Sequence, residues 1–213
     1  MDLSAQRELA TLLATLRRDG RQQSGLDARL VPPDTAMAYR VATRVAEQLG
    51  WAVGGWKIAA MKAEMQKALR TDQPIYGRVF APFVKPSPVT VVHARLATPI
   101  PEVEYQARLG ADLPPRGKPY AGEEVADSVA SLHPGLELAE CRFIHDQAFP
   151  PLPAILADGA GSGTIVQSFV VVLSFKDGLM LSERFHYDLA SLLRQIGAEP
   201  IPALAGLQHR AAA

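Results

Sequence analysis

The stretch Thr98-Pro-Ile-Pro-Glu-Val-Glu-Tyr-Gln-Ala-Arg-Leu109 sets the strongest limit on what this chain can fold into. It puts Glu102 and Glu104 two residues apart in a run that reads as a strand. Side chains at that spacing share a face, so the two carboxylates repel each other unless solvent or a cation stands between them. Two glutamates separated by one strand repeat, roughly 6.6 Å of rise, can converge on one ion, and oxygen ligands favour a hard cation such as Mg²⁺. The alternative is an ordinary half-exposed strand whose wet face carries Glu102 and Glu104, with Val103 and Tyr105 inward.

The rest of the chain limits what such a strand can belong to. A length of 213 residues, 48% hydrophobic and 21% charged, is enough for one good core. The formal net charge is zero and no Lys/Arg-rich run occurs, which argues against a general phosphate-backbone binder. A single cysteine, Cys141, excludes an intramolecular disulfide and a cysteine-rich zinc site. The longest apolar run, near Phe169 to Leu173, is strand-sized rather than membrane-spanning. An amphipathic, acid-containing N-terminus unlike an export signal sets the expectation of a cytoplasmic protein.

Leu9, Leu12, Leu13 and Leu16 recur at helical spacing between Ser4 and Arg18, and Gly20 stands where that helix should stop. A linker over 25–33 leads to a second helix capped by Asp34 or Thr35, with Ala38, Val41, Ala42, Val45 and Leu49 inward and Gly50 at its end. The texture then turns to strand in Trp51-Ala-Val-Gly-Gly-Trp-Lys-Ile-Ala59. Lys57, between Trp56 and Ile58, either reaches solvent past the strand or faces a polar pocket. Met61, Met65 and Leu69 mark a short helix with the methionines in the core, and 72–77 reads as a turn.

Pro82, Pro86 and Pro88 forbid a long helix, after which 89–96 reads as a strand leading to the Glu102/Glu104 strand. A Pro/Gly-rich loop over 112–122 precedes a helix expected over 123–132, with Val125, Val129 and Leu132 inward. Pro134 to Arg142 is a strand with Leu136 and Leu138 on one face and Glu137, Ala139 and Cys141 on the other, so Glu137 has small neighbours and room beside it. A short helix over 154–157 runs into Asp158-Gly-Ala-Gly-Ser-Gly163, glycine-rich enough to be backbone crowded against something, yet without the Lys and spacing of a nucleotide P-loop. A strand over 164–174 turns at 176–178 into a hairpin ending at Leu181, and Ser182 caps a helix stopped at Gly197. The remainder, 198–213, reads as a loose tail.

Taken in order, Gly55-Trp-Lys-Ile-Ala59, Met65-Gln66, Asp72-Gln-Pro-Ile-Tyr-Gly77, Pro101-Glu-Val-Glu104, Leu136-Glu-Leu-Ala-Glu-Cys-Arg142 and Ala157-Asp-Gly-Ala-Gly-Ser-Gly163 resemble a family. It is that of the 2-keto-4-pentenoate hydratases and 4-oxalocrotonate decarboxylases, within the fumarylacetoacetate hydrolase superfamily. The resemblance covers about residues 30–197. It implies an α+β fold, a mixed β-roll or sandwich over 51–197 with a helical N-terminal segment over 1–50 and a tail over 198–213. It implies Mg²⁺ or Mn²⁺ held by Glu102, Glu104 and Glu137, with Lys57 and Asp72 in the catalytic site and Ser162 and Gly163 as substrate contacts. In two places the chain departs from the family pattern. Gly159 and Gly161 stand where the family loop has an amide and a serine, and nothing after Gly197 matches the family's further strands.

The implied chemistry is that of a 2-oxo acid held on a divalent cation acting as a Lewis acid. The expected activity is a metal-dependent hydratase of 2-hydroxy-2,4-dienoates or 2-oxo acids in aromatic-compound catabolism. The alternatives are decarboxylation, C–C hydrolysis, or a non-catalytic paralogue that works as a partner subunit. Of the five histidines, only His145, just past the Glu137 strand, is of interest to such a site. The hairpin of 170–181 is apolar on both arms, so a homo-oligomer burying it is expected, with no nucleic acid or membrane as partner.

Overall fold

In the computed structural model, the described residues are 1–87, 89–93, 96–144, 151–160 and 163–167. All lie in the first of the chain's two compact units, Met1–Phe169. The expectations for the hairpin of 170–181, the helix after it and the tail therefore lie outside the described residues, as do those for Ser162 and His145.

Helix α1 (Leu3–Asp19) starts where the Asp2 carboxylate accepts the Ala5 N–H and ends at Gly20, whose left-handed backbone lets its N–H turn back onto the last carbonyls. Helix α2 (Thr35–Leu49) has the same punctuation, Asp34 accepting from Met37 N–H and Gly50 left-handed. Its inward residues are the expected five, Ala38, Val41, Ala42, Val45 and Leu49. Strand β1 (Gln23–Ser24) lies between the helices in sequence and pairs in parallel with β7 (Phe143–Ile144).

The β part begins with β2 (Val53–Ala59), followed by helix α3 (Ala63–Leu69), β3 (Ile75–Phe80) and β4 (Val84–Pro86). Next come β5 (Ile100–Leu109), helix α4 (Gly122–Ser128), β6 (Val129–Ala139), β7, helix α5 (Leu152–Ala157) and β8 (Thr164–Gln167). Strands β2 and β3 form an antiparallel ribbon, and a four-stranded sheet runs β4-β8-β6-β5 with β4 and β8 parallel. Helices alternate with strands along the chain, but the antiparallel pairs β2/β3, β5/β6 and β6/β8 outnumber the parallel β1/β7 and β4/β8, consistent with an α+β arrangement. The main apolar core joins α1, α2 and α5 to both ends of β3, with Leu9, Leu13, Val41, Ile75, Phe80 and Leu156 buried together. Each buried Leu contributes about 1.5–3 kcal/mol through loss of apolar surface to water.

Four expectations change. The helix expected over 123–132 stops at Ser128, and Val129 opens β6 because that segment takes the antiparallel ladder beside β5. Val125 and Leu132 are accordingly exposed. Residues 89–93 contain no strand; the short strand of this region is β4, three residues earlier. The turn expected at 72–77 runs directly into β3, where Tyr76 and Gly77 pair with Ile58 and Lys57. Met61 and Met65 are exposed rather than core: Met61 precedes α3, and α3, which carries Met65, buries none of its residues.

Candidate metal centre

The long β5/β6 ladder sets the geometry. Its register places Glu102 opposite Glu137, Glu104 opposite Gly135 and Gln106 opposite His133. Residues directly opposite and those two apart share a sheet face, so three acids from two strands project to one side. Carboxylate oxygens of Glu102, Glu104 and Glu137 all lie within 4.8 Å of one another, and among the described residues they form a group able to hold a cation. Glu102 is exposed, Glu104 half-buried and Glu137 fully buried. The outer positions of the same strands, including Val103, Leu109 and Leu132, are exposed apolar residues. The acids are thus on the more enclosed side of the sheet, the reverse of the ordinary wet-face reading.

Lys57 comes to the acids from β2. With Trp56 and Ile58 exposed, the alternation of the strand turns Lys57 inward, where it is 8% exposed. Its Nζ lies 2.7 Å from Glu137 Oε2 as an ion pair. That oxygen nevertheless lacks a partner in hydrogen-bond geometry, so the contact is electrostatic and a lone pair stays unused. The other oxygen, Oε1, accepts the Gly163 N–H at 3.2 Å. Burial, followed by the charge of Glu137, pushes the Glu104 carboxyl up to about 7, against an opposing pull from Lys57.

The glycine loop reaches the site through its backbone. A β-carbon at Gly163 would fall 1.7 Å from the Leu138 carbonyl oxygen, so only glycine lets this backbone sit against β6 and donate to Glu137. The start of the loop is fixed by Asp158, which is fully buried. Its Oδ2 accepts the Arg142 N–H at 2.8 Å, and Arg17 of α1 pairs with its Oδ1 at 3.3 Å and donates to its carbonyl oxygen. Burial pushes the Asp158 carboxyl up, opposed by Arg17 and Arg142.

A cavity of about 440 Å³ lies beside the acids, lined by Gly54, Gly55, Lys57, Glu104, Tyr105 and Gln106 among others. That is the size range of small-molecule sites. The sequence-expected residues thus divide: Glu102, Glu104, Glu137 and Lys57 come together, with Gly163 hydrogen-bonded to them. Asp72 is exposed in the turn before β3 and belongs neither to the acid group nor to the cavity lining. Two residues went unnoticed in the sequence. Gln106 stands one strand repeat beyond Glu104 on the same face, a position the Glu-x-Glu spacing could have extended to. Arg17 in the first helix had no local signal.

No family model matches the chain. Two curated proteins, 2-keto-4-pentenoate hydratases 1 and 2 of Dechloromonas aromatica strain RCB, are each 32% identical to it over 160 residues, 74% of this chain. The alignment takes in 59% and 60% of their respective lengths, so the chain spans about three-fifths of these relatives. Two solved structures of 4-oxalocrotonate decarboxylase from Pseudomonas putida G7 share the fold. The one complexed with magnesium and adipate has a TM-score of 0.69 at 20% identity, over 79% of this chain and 64% of that one. The one complexed with calcium and acetate has a TM-score of 0.68 at 19% identity, over 79% and 63%. Over the part it shares with them, the chain is similar in sequence to the 2-keto-4-pentenoate hydratases and has the fold of 4-oxalocrotonate decarboxylase.

Proposed function

We propose that this chain is a divalent-metal-dependent hydratase acting on a 2-hydroxy-2,4-dienoate or 2-oxo acid in aromatic-compound catabolism, with Glu102, Glu104 and Glu137 as the metal ligands. The observation that carries this reading is the convergence of three carboxylates, one of them fully buried, beside a cavity that also holds a lysine. The donor set fits a hard cation. Three carboxylates against the single ammonium of Lys57 leave two negative charges when all are ionised, and Glu137 Oε2 has an unused lone pair where burial makes that costly. The relatives' name favours hydratase, and the magnesium and calcium in the solved neighbours favour a divalent ion, for which Mg²⁺ or Mn²⁺ suits an all-oxygen site.

When bound, such a cation supplies Lewis-acid polarisation of a 2-oxo acid's ketone. The chain's own groups do the rest. Lys57, on the cavity wall, counters the substrate's carboxylate charge and holds a proton at Nζ within reach of the reacting carbons. The Gly163 N–H and Lys57 together fix the orientation of Glu137. Tyr105 and the glycines of β2 shape a pocket that limits the water reaching the substrate.

Decarboxylation is the second reading, favoured by the name of the fold neighbours. The mixed β-roll or sandwich, the cytoplasmic address and the homo-oligomer remain part of the proposal, the last supported by the exposed apolar residues Val103, Leu109 and Leu132 on the outer face of β5 and β6. The test is an assay of the purified protein with Mg²⁺ and 2-hydroxypenta-2,4-dienoate, following the diene absorbance. Metal-dependent loss of absorbance supports the hydratase. An inert protein would favour the non-catalytic partner reading.

A further inference from the structure

Two adjacent glycines stand in strand β2, and only one of them has a reason in the packing of the chain. Gly54 sits at the register shift between Val53 and Gly55, and a β-carbon on it would fall 3.0 Å from the Ala81 α-carbon. Gly55 does not adopt the left-handed backbone, and a β-carbon on it would meet no described atom within 4 Å. Glycine inside a strand destabilises it relative to alanine, and one that neither conformation nor packing requires marks a place kept open for something else. Gly55 precedes Lys57 by two residues and pairs with Val79 of β3, so it lies on the ribbon face that turns Lys57 to Glu137. The open space on that face is the cavity of about 440 Å³, which Gly55 lines.

The four-stranded sheet supplies the other side of that cavity. Across β4-β8-β6-β5 its register sets Val84, Ile165, Glu137 and Glu102 in one row, so the acid face runs from two apolar residues to two acids. Val84 and Ile165 line the cavity together with Val79. Among the described residues lining it, Lys57 and Glu104 are the charged ones, and Lys57 is already paired with Glu137.

We propose that Gly55 is a specificity-determining residue: the space beside it receives the tail of the substrate, so the site takes a 2-oxo acid with an uncharged hydrocarbon tail of several carbons and rejects one with a second, distal carboxylate. The inference rests on the 2-oxo acid reading of the acid cluster. With the carboxylate and ketone of such an acid held there, the carbons beyond the ketone lie between Gly55 and Val79 on the ribbon and Val84 and Ile165 on the sheet. Each methylene buried there favours binding, whereas a distal carboxylate would leave water without a free cation to meet it among the described lining residues.

Calorimetric titration of the Mg²⁺-loaded protein with pyruvate, 2-oxohexanoate and 2-oxoadipate tests this, in the wild type, Gly55→Ala and Gly55→Val. The wild type should bind 2-oxohexanoate about tenfold or more tighter than pyruvate, through its added methylenes, and about tenfold tighter than 2-oxoadipate. A side chain at position 55 takes the space of the tail. The advantage of 2-oxohexanoate over pyruvate should therefore shrink in Gly55→Ala and vanish in Gly55→Val. Should the valine variant fail to fold, the alanine variant, whose β-carbon meets no described atom, carries the same comparison. Failure of the wild type to prefer 2-oxohexanoate to each of the other acids, or an advantage over pyruvate that survives undiminished in the variants, would overturn the role of Gly55 while leaving the 2-oxo acid reading in place. Binding of none of the three acids would overturn both.

Discussion

Lys57 Nζ and Glu137 Oε2 stand 2.7 Å apart with their side chains 6% and 0% exposed, so each is the buried counter-charge of the other. Removing one member of such a pair leaves the other uncompensated, at a cost of about 3–5 kcal/mol. Lys57→Met keeps the aliphatic stem and isolates that electrostatic loss. We expect it to lower the urea-unfolding stability of the metal-free protein by about 3 kcal/mol and to abolish turnover, with Mg²⁺ recovering part of the stability. A variant as stable as the wild type, with unchanged kinetics, would return Lys57 to an incidental role.

Glu104 makes the metal-free protein sensitive to pH. Its carboxyl is raised from 4.5 to about 7 by burial and by Glu137, so between those values the folded state holds a proton that the unfolded chain has released. Stability therefore falls as pH rises through this window. Melting temperatures taken from pH 4.5 to 8 should show that decline in the metal-free protein, and Glu104→Gln should flatten it. A divalent cation that takes the place of the proton should flatten it in the wild type as well. Identical profiles for wild type and Glu104→Gln would show that Glu104 is not strained by its neighbours.

Arg17 ties the first helix to the loop that serves the site. It pairs with Asp158 at 3.3 Å, with side chains 6% and 0% exposed, and Asp158 begins the loop that ends in the Gly163 donor. Arg17→Met should cost about 3–5 kcal/mol, measured by denaturant unfolding. Weaker metal binding should accompany it, because Glu137 loses a fixed partner. A change below about 0.5 kcal/mol, as at an ordinary surface position, would show that the loop is held by other contacts.

The sequence was most legible where one local rule acted without a rival. Helices α1 and α2 follow from apolar spacing and a glycine at the end, with an aspartate start legible in the sequence for α2 and the Asp2 cap of α1 seen in the structure. Strand alternation put Glu102 and Glu104 on one face, whereas Glu137 joins them through the β5/β6 register, and its place in the ligand set came from the family resemblance. It was least legible where two periods fit the same residues. Val125, Val129 and Leu132 match a helical stripe, but pairing with β5 turns Val129 onward into strand. Tyr76-Gly77 looks like a turn until β2 supplies its partner strand. Met61 and Met65 keep a helical spacing although both stay exposed. Gln106 and Arg17 acquire their places only from residues distant in sequence, Gly135 across the ladder and Asp158 beyond it.

If the three carboxylates form one divalent-cation site, calorimetric titration of the metal-free protein with Mn²⁺ or Mg²⁺ will detect it. One ion should bind per chain, with binding that strengthens as pH rises through about 7, where Glu104 loses its proton. That binding should be lost in both Glu104→Gln and Glu137→Gln, with circular dichroism showing that the variants remain folded. No binding by the folded wild type, or binding that survives both substitutions, would contradict it.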